Sequence, residues 1–376
     1  NFLINKMGKR WCEMKEQISI SLCMIVKDEE DVIERCLSSV QSVVDEIIIV
    51  DTGSMDRTKE LVKIFTNHIY DFEWIDDFSA ARNYAFSKAT KDYILWLDAD
   101  DVVTKENRDK LIELKNNLSK NVDAVSMNYH LGFDENGNPS VSSRRHRLVK
   151  RENQFRWHGF VHEYLEVSGN IIHVDVAIVH QKQKEPSDKY LKMYEKAIEE
   201  GKPFSPRDQF YYANECNDQG KYAEAVNWYQ LFLSEGKGWI EDNIEACGKM
   251  ADIYINMQMW NNAIDACMNS FKYDTPRGEN CCRLGFLYLY QKKFHTAISW
   301  YKLATLVEIP EAKSPFINRA CYTWLPHLQL CLCYSILGDF HQAKKHNDLA
   351  AAIVPTNRQV KHNQEFLHTI FHELPI

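Results

Sequence analysis

The sequence predicts an α/β doubly wound domain followed by an all-α helical repeat domain. Apolar strands alternate with amphipathic helices from Ser19 to about Gln183, strand signals vanish beyond Asp208, and a helical unit then recurs four times. The chain's 376 residues exceed the ~100–200 of a single domain. Hydrophobic residues make up 45% and charged residues 26%, enough for two cores, and a net charge of −8 leaves no basic footprint for nucleic acid. No apolar run approaches the ~20 residues of a membrane span and residues 1–17 show no secretory pattern, so a soluble cytoplasmic protein is expected. The 11 cysteines are odd in number and mostly fall in helical patterns (Cys216, Cys247, Cys267, Cys331), which predicts free, buried thiols.

The first element is the apolar strand ISLCMIV, Ile20–Val26, followed by the polar turn KDEE and a helix through Val32, Leu37 and Val40. EIIIVD is a second strand whose unbroken apolar run suits a sheet covered on both faces, and it stops on Asp51. After the turn TGSMD come a helix through Leu61 and Ile64 and a short strand near Ile69–Trp74. AARNYAFSKA reads as a helix leading into the strand of YILWLDADD, and VDVAIVH as a strand ending on His180. Ligands of such a sheet lie beyond the carboxyl ends of its strands, which here carry Asp51 and Asp98.

Past Asp208, four segments align: GKYAEAVNWY, MQMWNNAIDAC, QKKFHTAISWY and LGDFHQAKKH. In each, an aromatic (Tyr222, Trp260, Phe294, Phe340) precedes an alanine by three residues, and the alanines (Ala225, Ala263, Ala297, Ala343) lie 38, 34 and 46 residues apart. The middle spacing is the tetratricopeptide period, so the repeats resemble that family over roughly 207–356. A small alanine lets the second helix of each unit approach the first, and the aromatic fills the gap beside it. Pro310 and Pro315 break the pattern in the longest spacing and predict a loop there. The expected organisation is an N-terminal extension over 1–18, the α/β domain over 19–184, a linker with a short helix over 185–206, and the repeat domain over 207–376.

The strongest chemical signal is LWLDADD, where Asp98 and Asp100 stand two apart directly after an apolar strand. Two carboxylates so placed suit a divalent ion that bridges phosphate oxygens, and hard oxygen ligands favour Mg²⁺ or Mn²⁺; paired aspartates are also common in solvated loops. Further on, RRHRLVKRENQFRWHGFVHEYLEV gathers basic and aromatic residues before His158, His162 and Glu163. Glu163 is the first candidate for a general base and His162 the second, with a purely structural strand-turn as the alternative. Arg144, Arg145 and Arg147 either face a diphosphate or solvate a loop.

Taken in order, IVKDEE, IIIVDTGSMDRT, DFSAARNYA and LDAD resemble the motifs of the family 2 glycosyltransferases of GT-A fold over about residues 19–183. The resemblance implies a GT-A doubly wound nucleotide-sugar-binding domain ahead of the tetratricopeptide-like repeats. It implies a donor site of Val26, Glu29, Asp51, Ser54, Arg82, Asp98 and Ala99, and a metal held by Asp98, Asp100 and His180. The family commonly has YNEE where this chain has KDEE; Asp28 replaces the asparagine, which makes Glu29 the safer contact. The added repeats and FRWHGFVHE resemble the bacteriocin S-glycosyltransferases of sublancin type. That resemblance implies inverting transfer of a hexose, typically glucose from UDP-glucose, to a cysteine of a precursor peptide, with Glu163, His162 or His158 as base, and a homodimer. Alternatives are transfer to Ser/Thr or to a cell-surface polysaccharide, and a non-catalytic repeat adaptor. The intact Asp51, Arg82, Asp98 and Asp100 argue against the adaptor.

Overall fold

A computed structural model describes residues 17–133, 139–181, 188–310 and 317–373. The chain divides into two compact units, Asn1–Pro186 and Ser187–Ile376. Up to residue 16, the expected N-terminal extension lies outside the described residues.

The first unit runs β1 (Ile20–Val26), α1 (Ile33–Val40), β2 (Glu46–Asp51), α2 (Thr58–Val62), β3 (Ile69–Asp71), α3 (Phe78–Lys88) and β4 (Tyr93–Trp96). There follow β5 (Asp101–Val102), α4 (Lys105–Asn117), β6 (Ala124–Phe133), β7 (Pro139–Lys150), β8 (Arg156–His158), β9 (Tyr164–Glu166) and β10 (Ile171–His180). Eight strands form one sheet in the order β3-β2-β1-β4-β7-β6-β10-β5, and β8 pairs with β9 separately. Residues of β1 alternate between two cores: Leu22, Met24 and Val26 pack with Ile33 and Leu37 of α1, while Cys23 on the other face packs with Ile48, Val50 and Ala85 of α3. Helices therefore cover both faces, as the unbroken apolar strands predict.

The sheet is nonetheless mixed. β3, β2, β1 and β4 are parallel, but β7 runs antiparallel to both β4 and β6, and the short β5 runs antiparallel to β10. The β10–β5 register sets His180 directly opposite Asp101. This pairing folds the LDADD turn back onto the last strand.

The second unit is helical. It consists of α5 (Lys189–Glu199), α6 (Pro206–Asp218), α7 (Tyr222–Glu235), α8 (Ile240–Asn256), α9 (Trp260–Ser270), α10 (Gly278–Tyr290), α11 (Phe294–Ala304), α12 (Trp324–Ile336), α13 (Phe340–Ile353) and α14 (Arg358–Glu373). The four aromatics of the repeat signature are the first residues of α7, α9, α11 and α13, and the four alanines are fully buried. Within the segment expected as a linker, α5 buries Tyr194 against Tyr212 of α6, with ring centroids 5.6 Å apart, so it belongs to the helical unit. Of the expected Pro310–Pro315 loop, residues 311–316 lie outside the described residues; beyond them a 3-10 turn, Arg319–Tyr322, is tied down by the Tyr322 hydroxyl donating to Glu279 at 2.6 Å. Among the described residues no helix is long and apolar enough to cross a membrane. The ten described cysteines are buried and form no disulfide.

Candidate active site

The loops after β1 and β2 are laced together. Asp28 takes a left-handed backbone, φ +52°, which Asn and Asp tolerate better than most residues, so the departure from the family's asparagine keeps the turn. Its N–H donates to Ser54 Oγ at 3.0 Å and its carboxylate accepts from the Met55 N–H at 2.7 Å, while the Glu29 N–H donates to Thr58 Oγ1 at 2.7 Å. The carbonyl of Val26 accepts the Thr52 N–H at 2.9 Å. Below this turn Asp51 is buried, with Oδ1 accepting the N–H groups of Gly53 and Ser54 at 2.9 Å each. Burial pushes the Asp51 carboxyl up, but hydrogen bonds from Ser54 and Gly53 and the charge of Lys59 outweigh it and hold it below the usual carboxylate range. Its Oδ2 is buried without a protein partner.

Arg82 sits at the centre of the site. Asp77 caps α3, accepting the Ala80 N–H at 2.9 Å, and Arg82 lies one turn inside. The Arg82 Nη2 donates to Asp98 Oδ1 and its Nε to Glu163 Oε1, both at 2.6 Å. Its guanidinium carbon is 4.7 Å from the Trp157 ring centroid and 5.2 Å from that of Trp96. A planar fork with donors on two edges can serve two carboxylates at once, and the indole faces favour the cation. Burial disfavours charge on Asp98, yet Arg82 and then Arg147 outweigh it and hold that carboxyl below its usual range.

The LDADD turn closes on itself, the Asp98 N–H donating to Asp101 Oδ2 at 2.9 Å. Asp101 is fully buried and ion-paired at 3.0 Å with Arg147, itself fully buried with its guanidinium carbon 3.9 Å from the Trp96 ring centroid and 4.4 Å from that of Tyr129. Arg147 is thus part of the core rather than of a solvated loop. His180 Nδ1 lies 3.3 Å from Asp100 Oδ1, 3.8 Å from Asp101 Oδ1 and 2.9 Å from the Tyr129 hydroxyl. The neighbouring carboxylates of Asp100 and then Asp101 outweigh burial and push the His180 imidazolium up to about 9.

Asp100, Asp101 and His180 place one ligand atom each within 4.8 Å of one another, and Asp101 Oδ1 is a buried oxygen with no hydrogen-bond donor. Two carboxylates and an imidazole are a fitting donor set for Mg²⁺ or Mn²⁺. The expected ligands Asp100 and His180 come together; in place of Asp98, whose Oδ1 is held by Arg82, the third member is Asp101. Asp101 was missed, its only signal being the third aspartate of LDADD; Arg147, read as facing a diphosphate or solvating a loop, instead pairs with Asp101 in the core.

Of the acceptor-side candidates, Glu163 is joined to Arg82, and His162 beside it has a left-handed backbone, φ +49°. His158 points its Nε2 to Glu166 at 3.0 Å across the β8–β9 pair. Ala99 is buried in the LDADD turn, and Ser54 serves Asp51 and Asp28.

Residues 21–172 match the family Glycosyl transferase family 2. The chain is 32% identical over 154 residues to the SPbeta prophage-derived glycosyltransferase SunS of Bacillus subtilis, covering 40% of this chain and 36% of that relative. It is 51% identical over 87 residues to a TPR repeat-containing protein of Synechococcus elongatus, covering 23% of this chain and 22% of that relative. An uncharacterized glycosyltransferase of Rickettsia typhi is 32% identical over 92 residues, 24% of this chain and 31% of its own length. The aligned segments thus span well under half of each relative. The motif order, the mixed sheet with its acidic strand ends and these matches agree: the chain carries a family 2 glycosyltransferase domain, followed by tetratricopeptide-like helical repeats.

Proposed function

We propose that the protein is an inverting, metal-dependent glycosyltransferase that moves a hexose, glucose from UDP-glucose, onto a cysteine side chain of a bacteriocin precursor peptide. The observation that carries this reading is Arg82, one buried guanidinium bonded both to Asp98 of the strand-end motif and to Glu163 of HGFVHE. The similarity to SunS supports a peptide acceptor of this kind. In this reading the nucleoside lies against Asp51, whose unpartnered Oδ2 would accept a hydrogen bond from it, with Val26, Glu29, Ser54 and Ala99 forming the surrounding turns. Mg²⁺ or Mn²⁺, held by Asp100, Asp101 and His180, supplies positive charge to the leaving diphosphate when bound. Asp98 is kept charged by Arg82 and orients the donor.

The acceptor sulfur attacks the anomeric carbon from the face opposite the diphosphate. The S–C bond forms as the C–O bond breaks, the diphosphate departs with the electron pair, and the thiol proton passes to Glu163, or to the adjacent His162. A thiol with a pKa near ~8.5 needs only modest help from a base. The repeat unit is assigned to peptide binding, since stacked helix pairs offer an extended surface, and the active protein to a homodimer in the cytoplasm.

Intact-mass analysis of a cysteine-bearing precursor peptide and its Cys-to-Ser version, each incubated with UDP-glucose and Mn²⁺, tests the reading. The cysteine peptide should gain one hexose, and Glu163→Gln should slow transfer to the serine peptide more than to the cysteine peptide. Modification of the serine peptide alone would refute S-transfer while leaving sugar transfer intact.

A further inference from the structure

Asn83 follows Arg82 in α3, and its carboxamide is spent on a single residue. Its Nδ2 donates to the Trp157 carbonyl at 2.9 Å and its Oδ1 accepts the Trp157 N–H at 2.9 Å. Trp157 is the middle residue of β8, opposite Leu165 of β9, and is almost fully buried. In an antiparallel pair, alternate residues turn their N–H and C=O away from the partner strand, and such an edge must find partners elsewhere. Asn83 occupies the place a third strand would take.

From Trp157 the chain runs through Gly159, φ +91°, and His162, φ +49°, to Glu163. The only regular strand pairing of this stretch is the short β8–β9 pair, and two left-handed residues bracket the turn. It is tied to α3 by the Asn83–Trp157 pair, the Phe78 N–H donating to the Phe160 carbonyl at 3.0 Å and the Arg82–Glu163 ion pair at 2.6 Å, beside the ring contact of Phe86 with Trp157. Arg82 grips the far end through a side chain, whereas Asn83 grips the near end through the backbone.

Building on the proposed transfer reaction, we infer that Asn83 is a positioning residue: by holding both backbone groups of Trp157 it sets the 157–163 segment and so the place of the Glu163 carboxylate. Its carboxamide is bonded to Trp157, so it acts through that segment. The asparagine of ARN is needed because a carboxamide is the shortest side chain that offers one donor and one acceptor side by side.

The test uses the full chain and Asn83→Ala. Backbone hydrogen exchange should speed at least tenfold across 156–166, with β1 and β2 unchanged. UDP affinity in Mn²⁺, read by calorimetry, should stay within twofold, while kcat for sugar transfer to the cysteine peptide falls at least tenfold. Asn83→Asp keeps the acceptor and loses the donor, so it should fall between wild type and Asn83→Ala in both readouts; it replaces Asn83→Ala if that variant shows no cooperative melt. Unchanged exchange across 156–166, or a loss of UDP affinity matching the loss of kcat, overturns the inference. The exchange measurement stands without catalysis, so a wild type that binds no UDP and transfers no sugar contradicts the proposed reaction alone.

Discussion

Arg82 lies between two carboxylates and two indole faces, and each neighbour depends on it. Arg82→Ala leaves Asp98 and Glu163 without the cation between them, which should cost about 3–5 kcal/mol of stability and lower kcat for sugar transfer on the order of 10²–10³-fold. Arg82→Lys restores a charge but not the fork that bonds two acids from two edges, so it should recover part of the melting temperature and little of the turnover. Thermal melts beside steady-state kinetics check both statements, and a lysine variant with wild-type kcat would refute the two-edged role. Each member of this triad was legible as a motif residue; that one side chain joins the other two was not, because positions 82, 98 and 163 meet only once α3, β4 and the HGFVHE turn have folded. Arg147 and Asp101 were harder still. A fully buried ion pair and a solvated one are written with the same letters, and Arg147 is the residue that the β6–β7 ladder skips at its register shift, so its inward position shows only in the folded strand.

At the scale of elements, the aromatic–alanine pairs located the start of every second repeat helix, whereas β7 escaped notice. Its sequence SSRRHRLVK is polar because Arg144 and Arg145 are exposed while Arg147 carries its charge into the core. The repeats also share a device that composition hides: two residues before each second helix stands a left-handed residue, Gly220, Gln258, Lys292 and Gly338, with φ between 58° and 78°. Two are glycine and two are not. A Cβ on Gly220 meets nothing within 4 Å, so Gly220→Ala isolates the backbone term and should cost about 1 kcal/mol; Lys292→Gly should raise stability, both read from denaturant midpoints. The helix pair α12–α13 also holds a pH-sensitive contact. His346 Nδ1 lies 3.0 Å from His327 Nδ1 and its ring stacks on Tyr334. Burial, then His327, Lys345 and Lys302, push its imidazolium down to about 4. A histidine with a depressed folded pKa binds its proton more readily when unfolded, so its contribution is full above the unfolded value of 6.5 and fades as pH falls toward about 4. The wild type should therefore melt at a lower temperature at pH 5 than at pH 7, and His346→Gln should flatten that slope; an unaltered slope would remove His346 as its source.

For the whole molecule, the sequence changes to helical periods only beyond Asp208, whereas the helical unit already begins at Ser187, and the assignment of chemistry to the first unit rests on the strand-end acids. Those acids stand close together: Asp98, Asp100 and Asp101 against Arg82, Arg147 and His180. In the proposed reaction such a cluster would take a divalent ion and a diphosphate. The most direct measurement is release of UDP from UDP-glucose by the full chain, with Mn²⁺, after EDTA, and after Mn²⁺ is restored, in the wild type and in Asp100→Ala. The account predicts turnover that EDTA abolishes and Mn²⁺ restores in the wild type, with little in Asp100→Ala under any condition. Turnover that survives EDTA, or full activity in Asp100→Ala, would contradict it.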